Sequence, residues 1–271
     1  MMKQSNPLLD AFAEQRTRTI HALASTLRAD SRIVAAWLFG SLGRREEDAL
    51  SDIDIWVVVN DADARHVIEN RRQFVTCIGA PVHIQEAPQN APAHGAYLLT
   101  LYPTPLGIQH IDWYWEPAAQ AKIPRDARLL FDRAELPYYV LASHPPRAIV
   151  DIQENPIEEA QKNIEFFWGM VPITGKYIAR GNVWGALGMI QMLRGVILHL
   201  EKHTGITSLP ELDLPPEGEP LAILNLLRAL AQAVQKIHPM AHQMGVEISE
   251  ETPQHIYRYL DQMEMILRET P

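Results

Sequence analysis

Two aspartates one residue apart, Asp52 and Asp54, stand at the head of the apolar run Ile53-Asp54-Ile55-Trp56-Val57-Val58-Val59, and ten residues separate them from a Gly40-Ser41 pair. In an extended strand the side-chain period is two, so both carboxylates share one face while Ile53 and Ile55 take the other. Neighbouring carboxylates on a rigid strand repel, and a hard divalent cation with oxygen ligands is the usual relief. A cation held this way can bridge phosphate oxygens, neutralise developing charge and align a nucleophile with its leaving group. Gly40 follows the apolar run from Ile33 to Phe39 and permits a sharp turn. Ser41 then opens a short helix, whose amides together with the Ser41 hydroxyl suit the phosphates of a nucleotide. The bland alternative is a strand edge with two solvated aspartates beside a Gly-Ser turn. The two apolar strands and the spacing between them favour the chemical reading.

The elements that must hold these residues can be read along the chain. Pro7 to Leu27 has apolar residues at helical spacing, Asn6 as cap and Pro7 in the first turn, and predicts a helix packed on the sheet. Strands are expected over 33–39 and 52–59. A helix capped by Asp61 runs to about Cys77, and Gly79-Ala80-Pro81 ends it before a strand from Val82 to Gln85. A loop from Glu86 to Gly95 precedes strands at Ala96–Tyr102 and Ile108–Trp115, and Arg128–Phe131 adds an edge piece. Prolines between Pro137 and Pro146 mark a connector, which divides the chain into domains 1–148 and 149–271. Beyond it the pattern is helical. Asn155-Pro156 starts a helix that stops near Gly169 or resumes past Pro172 to Arg180. Asn182 caps the next, which runs to about His203 with Gly205 as stop. After a proline-rich loop over 204–219, Pro220 to about His238 and Pro253 to about Glu269 complete a four-helix bundle.

Other residues carry chemistry by type and setting. Asp112 is an acid inside an apolar, aromatic strand, so it must be paired, protonated or metal-bound. His110 shares its face and either lines the site or is a satisfied core histidine. Glu86 opens a loop rich in proline, glycine and asparagine, and reads as a general base, a substrate contact or a solvated acid. The pairs His199/His203 and His238/His242 have metal-binding spacing but lack the arrangement of a zinc protease, and read as structural or exposed.

The pattern Gly-Ser-x10-Asp-x-Asp resembles the signature of the nucleotidyltransferase superfamily that includes DNA polymerase beta and the kanamycin and lincosamide nucleotidyltransferases. The resemblance implies an α+β fold, with an N-terminal mixed-sheet domain followed by an all-α bundle. It further implies Mg²⁺ and an NTP, ATP or GTP, as co-substrate. On this reading Asp52, Asp54 and Asp112 hold the metal, and Gly40 and Ser41 bind the outgoing phosphates. Arg44, with Lys176 or Arg180 from the helical part, is the expected basic contact to the triphosphate. Glu86 matches the carboxylate with which antibiotic-modifying relatives activate an acceptor hydroxyl. The expected activity is transfer of a nucleoside monophosphate to a small-molecule hydroxyl, with an aminoglycoside- or lincosamide-like acceptor and a role in antibiotic resistance. The alternatives are a protein or RNA acceptor, or a non-catalytic partner-binding module of toxin-antitoxin type.

Composition narrows the partners. Of 271 residues, 47% are hydrophobic and 21% charged, as in an ordinary globular protein. The formal net charge of −9 argues against a polyanion such as nucleic acid as the main partner. A single cysteine, Cys77, excludes an internal disulfide and reads as a buried, inert thiol. No start signal or membrane-length apolar run is evident, so a cytoplasmic location without membrane contact is expected. A homodimer is compatible with this reading.

Overall fold

The computed structural model describes residues 6–139, 155–209 and 219–269. Helix α1 (Pro7–Ala29) starts as expected: the Asn6 side chain accepts from the Leu8 and Leu9 amides, and Pro7, with no N–H to satisfy, fills the first position. Its buried face, Ile20, Leu23 and Leu27, packs with β1 (Ile33–Leu38). Then come α2 (Gly40–Arg44), β2 (Ile53–Val59), α3 (Ala64–Glu69), α4 (Arg71–Phe74), β3 (His83–Glu86), β4 (Ala96–Thr104), β5 (Gly107–Pro117) and β6 (Arg128–Asp132). The single helix expected from Asp61 to Cys77 is broken at Asn70. There the side chain donates to the His66 carbonyl at 2.8 Å beside the residue's own amide at 3.1 Å, and the backbone leaves the helical region at φ −102° and ψ 23°. Cys77 is exposed, contrary to its expected burial, although Val75 two residues earlier is buried in the core beneath the sheet.

The six strands form one mixed sheet in the order β3-β4-β5-β2-β1-β6. Strands β2 and β5 run parallel, and every other neighbouring pair is antiparallel. One face buries Ile53, Ile55, Val57, Trp113 and Trp115 beneath α1, α3 and α4. On the other face Trp37, Trp56 and Tyr114 stack in parallel across three strands, with ring centroids 5.9 and 5.2 Å apart.

The rest of the described chain is helical: α5 (Pro156–Ala179), α6 (Val183–Thr204), α7 (Pro220–Gln243) and α8 (Glu251–Glu269). The fold is therefore α+β, a mixed sheet with flanking helices followed by a helical region. Neither Pro172 nor Pro239 ends its helix, and of the two courses expected for α5 it takes the longer, unbroken through Gly169 and Pro172 to Ala179. Burial explains this for α5: Pro172, Val171, Trp168 and Phe167 all lie in the core, and their packing outweighs the loss of one backbone hydrogen bond. Gly169 lets α5 approach strand β3 closely, since a Cβ there would stand 2.1 Å from Gln85 Oε1. Leu99, Leu101 and Ile108 of the sheet join Phe167, Val171 and Leu260 of the helices in one continuous core. The boundary expected at 148 falls outside the described residues. Helix α6 is long and apolar enough to cross a membrane, with a mean hydropathy of 1.4, although no such run was expected; it packs against α5 and α7.

Candidate active site

Register assembles the acids. The parallel pairing of β2 with β5 sets Asp54 directly opposite Asp112 and Ile53 opposite Ile111. Asp52 immediately precedes β2, and His110 lies two residues before Asp112, so the four polar side chains occupy one face at the same end of two adjacent strands. His110 bridges the outer two: its Nε2 is 3.0 Å from Asp112 Oδ1 and its Nδ1 is 3.3 Å from Asp52 Oδ2. The longer contact is ionic, without the alignment of a hydrogen bond. The Tyr97 hydroxyl, from β4, donates to Asp112 Oδ1 at 2.6 Å. From the helical region, buried Lys176 on α5 places Nζ 2.5 Å from Asp52 Oδ2.

These contacts split the acids electrostatically. Burial alone would raise the Asp52 carboxyl, but Lys176 and then His110 hold it well below the usual carboxylate range. Asp54 goes the other way, pushed well above that range by burial and then by the charges of Asp112 and Asp52. No ion pair falls on Asp54 among the described residues. Burial opposes the charge on His110, yet Asp112 and Asp52 raise its pKa to about 9. A raised histidine contributes stability that is complete below its ordinary pKa of 6.5 and is lost as pH passes through the folded value. Metal-free protein should therefore lose thermal stability between pH 7 and 9.5, and His110→Gln should flatten that decline. Equal slopes for the two proteins would show that His110 is not charged in the fold.

Gly40 sets the distance between turn and strand. Its φ is +61°, and a Cβ there would lie 2.3 Å from Asp54 Oδ2. The Phe39 amide donates to the Asp54 carbonyl at 3.1 Å, which ties the turn to the strand. Gly40→Ala should cost about 1–3 kcal/mol through the left-handed backbone and the displaced Asp54, measured by denaturant unfolding. A cost below ~0.5 kcal/mol would mean that the turn relaxes freely.

The remaining candidates are placed as follows. Ser41 lies half-buried in α2 beside Gly40. Arg44 is exposed and paired with Glu46, Nε to Oε2 2.7 Å. Arg180 binds Asp48 through two contacts of 2.6 and 2.7 Å. Glu86 does not join the cluster. It ends edge strand β3 opposite Leu98, which points to the face away from the acids, and Arg71 and Arg72 hold its carboxylate at 2.9 and 3.0 Å. The general-base expectation for Glu86 thus fails on geometry: its alternating face and its two arginines remove it from Asp54 and Asp112.

Arg16 escaped the sequence reading. From the buried face of α1 its guanidinium donates to the Asp48 and Ala49 carbonyls at 2.5 and 3.2 Å, pinning the loop that leads into Asp52. The signal was there, since Arg16 occupies a core position in the helical spacing Phe12, Arg16, Ile20. A cavity of about 20 Å³ lined by Arg16, Asp52, His110, Lys176 and Tyr259 closes this side of the cluster, with room for roughly one water.

A hard dication fits the donor set. Asp54 and Asp112 stand opposite each other in the strand register, and the charges of Asp112 and Asp52, which add to burial in lifting the Asp54 pKa, are what such an ion relieves. Ligand atoms of Asp52, His110 and Asp112 also lie within 4.8 Å of one another, but the imidazole is already shared between two carboxylates and is a poor partner for Mg²⁺.

Residues 21–93 match the family model described as polymerase beta, nucleotidyltransferase. This segment is similar to a nucleotidyltransferase domain. Within it lie Gly40, Ser41, Arg44, Asp52, Asp54 and Glu86, whereas Asp112 and Lys176 fall beyond the matched residues. Among solved structures, a STING-associated CdnE c-di-GMP synthase from Capnocytophaga granulosa is 9% identical, with 96% of this chain and 81% of that chain covered and a TM-score of 0.27. A nucleotidyltransferase-like protein from Exiguobacterium sibiricum 255-15 is 14% identical, with 94% and 74% covered and a TM-score of 0.20. Those scores are too low for either to bear on the fold. No curated protein matches.

Proposed function

We propose that this protein transfers a nucleoside monophosphate from ATP or GTP to a hydroxyl of a small molecule. The observation that carries this reading is the placement of Asp54 against Asp112 on the parallel strand pair, one hydrogen bond away from the Gly40 turn. Asp52, Asp54 and Asp112 would hold Mg²⁺. When bound, the ion neutralises developing phosphate charge and aligns the reacting groups. Gly40 and Ser41 bind the leaving phosphates. Lys176 and Arg180 carry the positive charge of α5 to the same edge of the cluster, and Asp112, adjacent to His110, accepts the acceptor's proton. A net-acidic chain with three clustered acids favours a cationic or neutral acceptor of aminocyclitol or lincosamide type over RNA. Division into a catalytic unit over 1–148 and a helical unit over 149–271, together with a cytoplasmic setting, belongs to the same proposal.

A second reading has one observation of its own. Lys176 and His110 already neutralise Asp52, as expected of a non-catalytic binding module. Thermal melts separate the two. A triphosphate entering this acidic site needs the metal, so nucleotide plus Mg²⁺ should stabilise the fold and nucleotide plus EDTA should not. At a nucleotide concentration ~100 times Kd the gain is about 2.7 kcal/mol, or roughly 5–10 °C for a chain of this size. Equal shifts with and without metal reject the metal-bridged site, and no shift at all favours the binding module. Labelled ATP and GTP incubated with a panel of hydroxylated antibiotics then test the acceptor class.

A further inference from the structure

The helical region holds a second group of ligating side chains, remote in sequence from the acid cluster and made of softer donors. Glu159 sits in the first turn of α5, and His199 and His203 lie one turn apart in the last part of α6. The two helices form an antiparallel hairpin around Gly181-Asn182, so the start of α5 meets the end of α6. Residues four apart share a helix face, and here that face is turned toward Glu159. His203 Nε2 stands 3.2 Å from Glu159 Oε2, and one ligand atom from each of the three residues lies within 4.8 Å of the other two. The histidine pair alone is an ordinary surface feature. The carboxylate supplied across the hairpin completes a triad that no local pattern shows.

We propose that Glu159, His199 and His203 form a metal site for a zinc-class divalent cation. Two imidazoles and one carboxylate are a recognised three-ligand set for Zn²⁺, with a water in the fourth position. Tetrahedral bonds of about 2.0–2.1 Å put ligand atoms roughly 3.3 Å apart, which the Glu159–His203 contact already meets. His199 is exposed, and rotation about its side-chain bonds brings its ring nitrogen in. Imidazole donors discriminate against Mg²⁺, while the all-oxygen set around Asp54 favours it, so the two sites take different ions from the same solution. Bound there, the ion clamps the open end of the α5/α6 hairpin. Helix α5 is also the one that delivers Lys176 to Asp52.

The test is calorimetric titration of the full chain with ZnCl₂ in excess Mg²⁺, repeated for Glu159→Gln, His199→Ala, His203→Ala and Asp54→Asn. Substituting even outer-shell partners of a metal typically costs 10–100-fold in affinity, so each triad substitution should weaken Zn²⁺ binding at least ~10-fold. Asp54→Asn should leave it unchanged. Co²⁺ should give the visible absorption of a low-symmetry site in the wild type and not in His203→Ala. His199 is exposed and Glu159 and His203 are half-buried, so metal-free melts compared with the wild type will show whether each variant folds. Zn²⁺ affinity that survives in His203→Ala, that is lost instead in Asp54→Asn, or that is missing from the wild type overturns the proposal.

Discussion

Asp54→Asn should lower the rate of nucleotidyl transfer by at least ~10³ while leaving the protein folded. The amide nearly matches the carboxylate in shape but removes a charged oxygen donor from the point where metal and phosphate must meet. Single-turnover transfer of label from ATP or GTP measures it. A variant that keeps more than a tenth of the wild-type rate removes Asp54 from the reaction. Stability should move the other way. The Asp54 pKa is raised by burial, Asp112 and Asp52, so its charged form destabilises the fold, and this penalty grows as pH rises above the ordinary carboxylate value. In EDTA, Asp54→Asn should therefore melt at or above the wild-type midpoint, with a gap that widens toward high pH. A clearly lower midpoint would mean that the Asp54 carboxylate is a structural acceptor.

Lys176→Met should be the most destabilising single change near the site. Lys176 is 4% exposed and its ammonium lies on Asp52, which once the lysine is gone keeps His110 in contact and the charges of Arg16 and Arg180 at longer range. Breaking a fully buried ion pair by removing one partner costs about 3–5 kcal/mol. Asp52 retains partial exposure and His110, so about 2–3 kcal/mol is expected, a drop of roughly 5–10 °C in midpoint. The sign with pH is distinctive. Asp52 has a depressed pKa, so its stabilising contribution is present above the ordinary value of 3.8 and is lost as pH falls through the lower folded value. The gap between wild type and Lys176→Met should be full at pH 7 and should close as the medium is acidified below pH 4. A gap that persists in acid would assign the loss to packing of the lysine stem against the core.

Both effects depend on neighbours that differ in how visible they are from the chain alone. Asp52, Asp54 and the Gly40 turn belong to one strand-turn-strand unit, and local rules were enough to place them: apolar runs, a glycine able to take positive φ, and a side-chain period of two. Capping was legible for the same reason, because Asn6, Asn155 and Asn182 bond to amides within three residues of themselves. The break at Asn70 went unread, and the sequence left open whether α5 stops near Gly169 or goes on past Pro172, each being a local preference decided by what the segment packs against.

By itself, then, the sequence determined the α+β order of elements, the face shared by Asp52 and Asp54, and the need for Asp112 to find a partner inside an apolar strand. Only the tertiary structure decided what that partner is. A parallel pairing has no turn to set its register, so nothing local to β2 or β5 states that Asp54 will face Asp112. The same holds for Lys176 on Asp52, for Glu86 turned to the far face between Arg71 and Arg72, and for Glu159 beside His203. Each of these contacts joins elements that separate segments of chain bring together through the burial of apolar surface, and burial is non-directional: it records which residues go inside, not which charge will meet which.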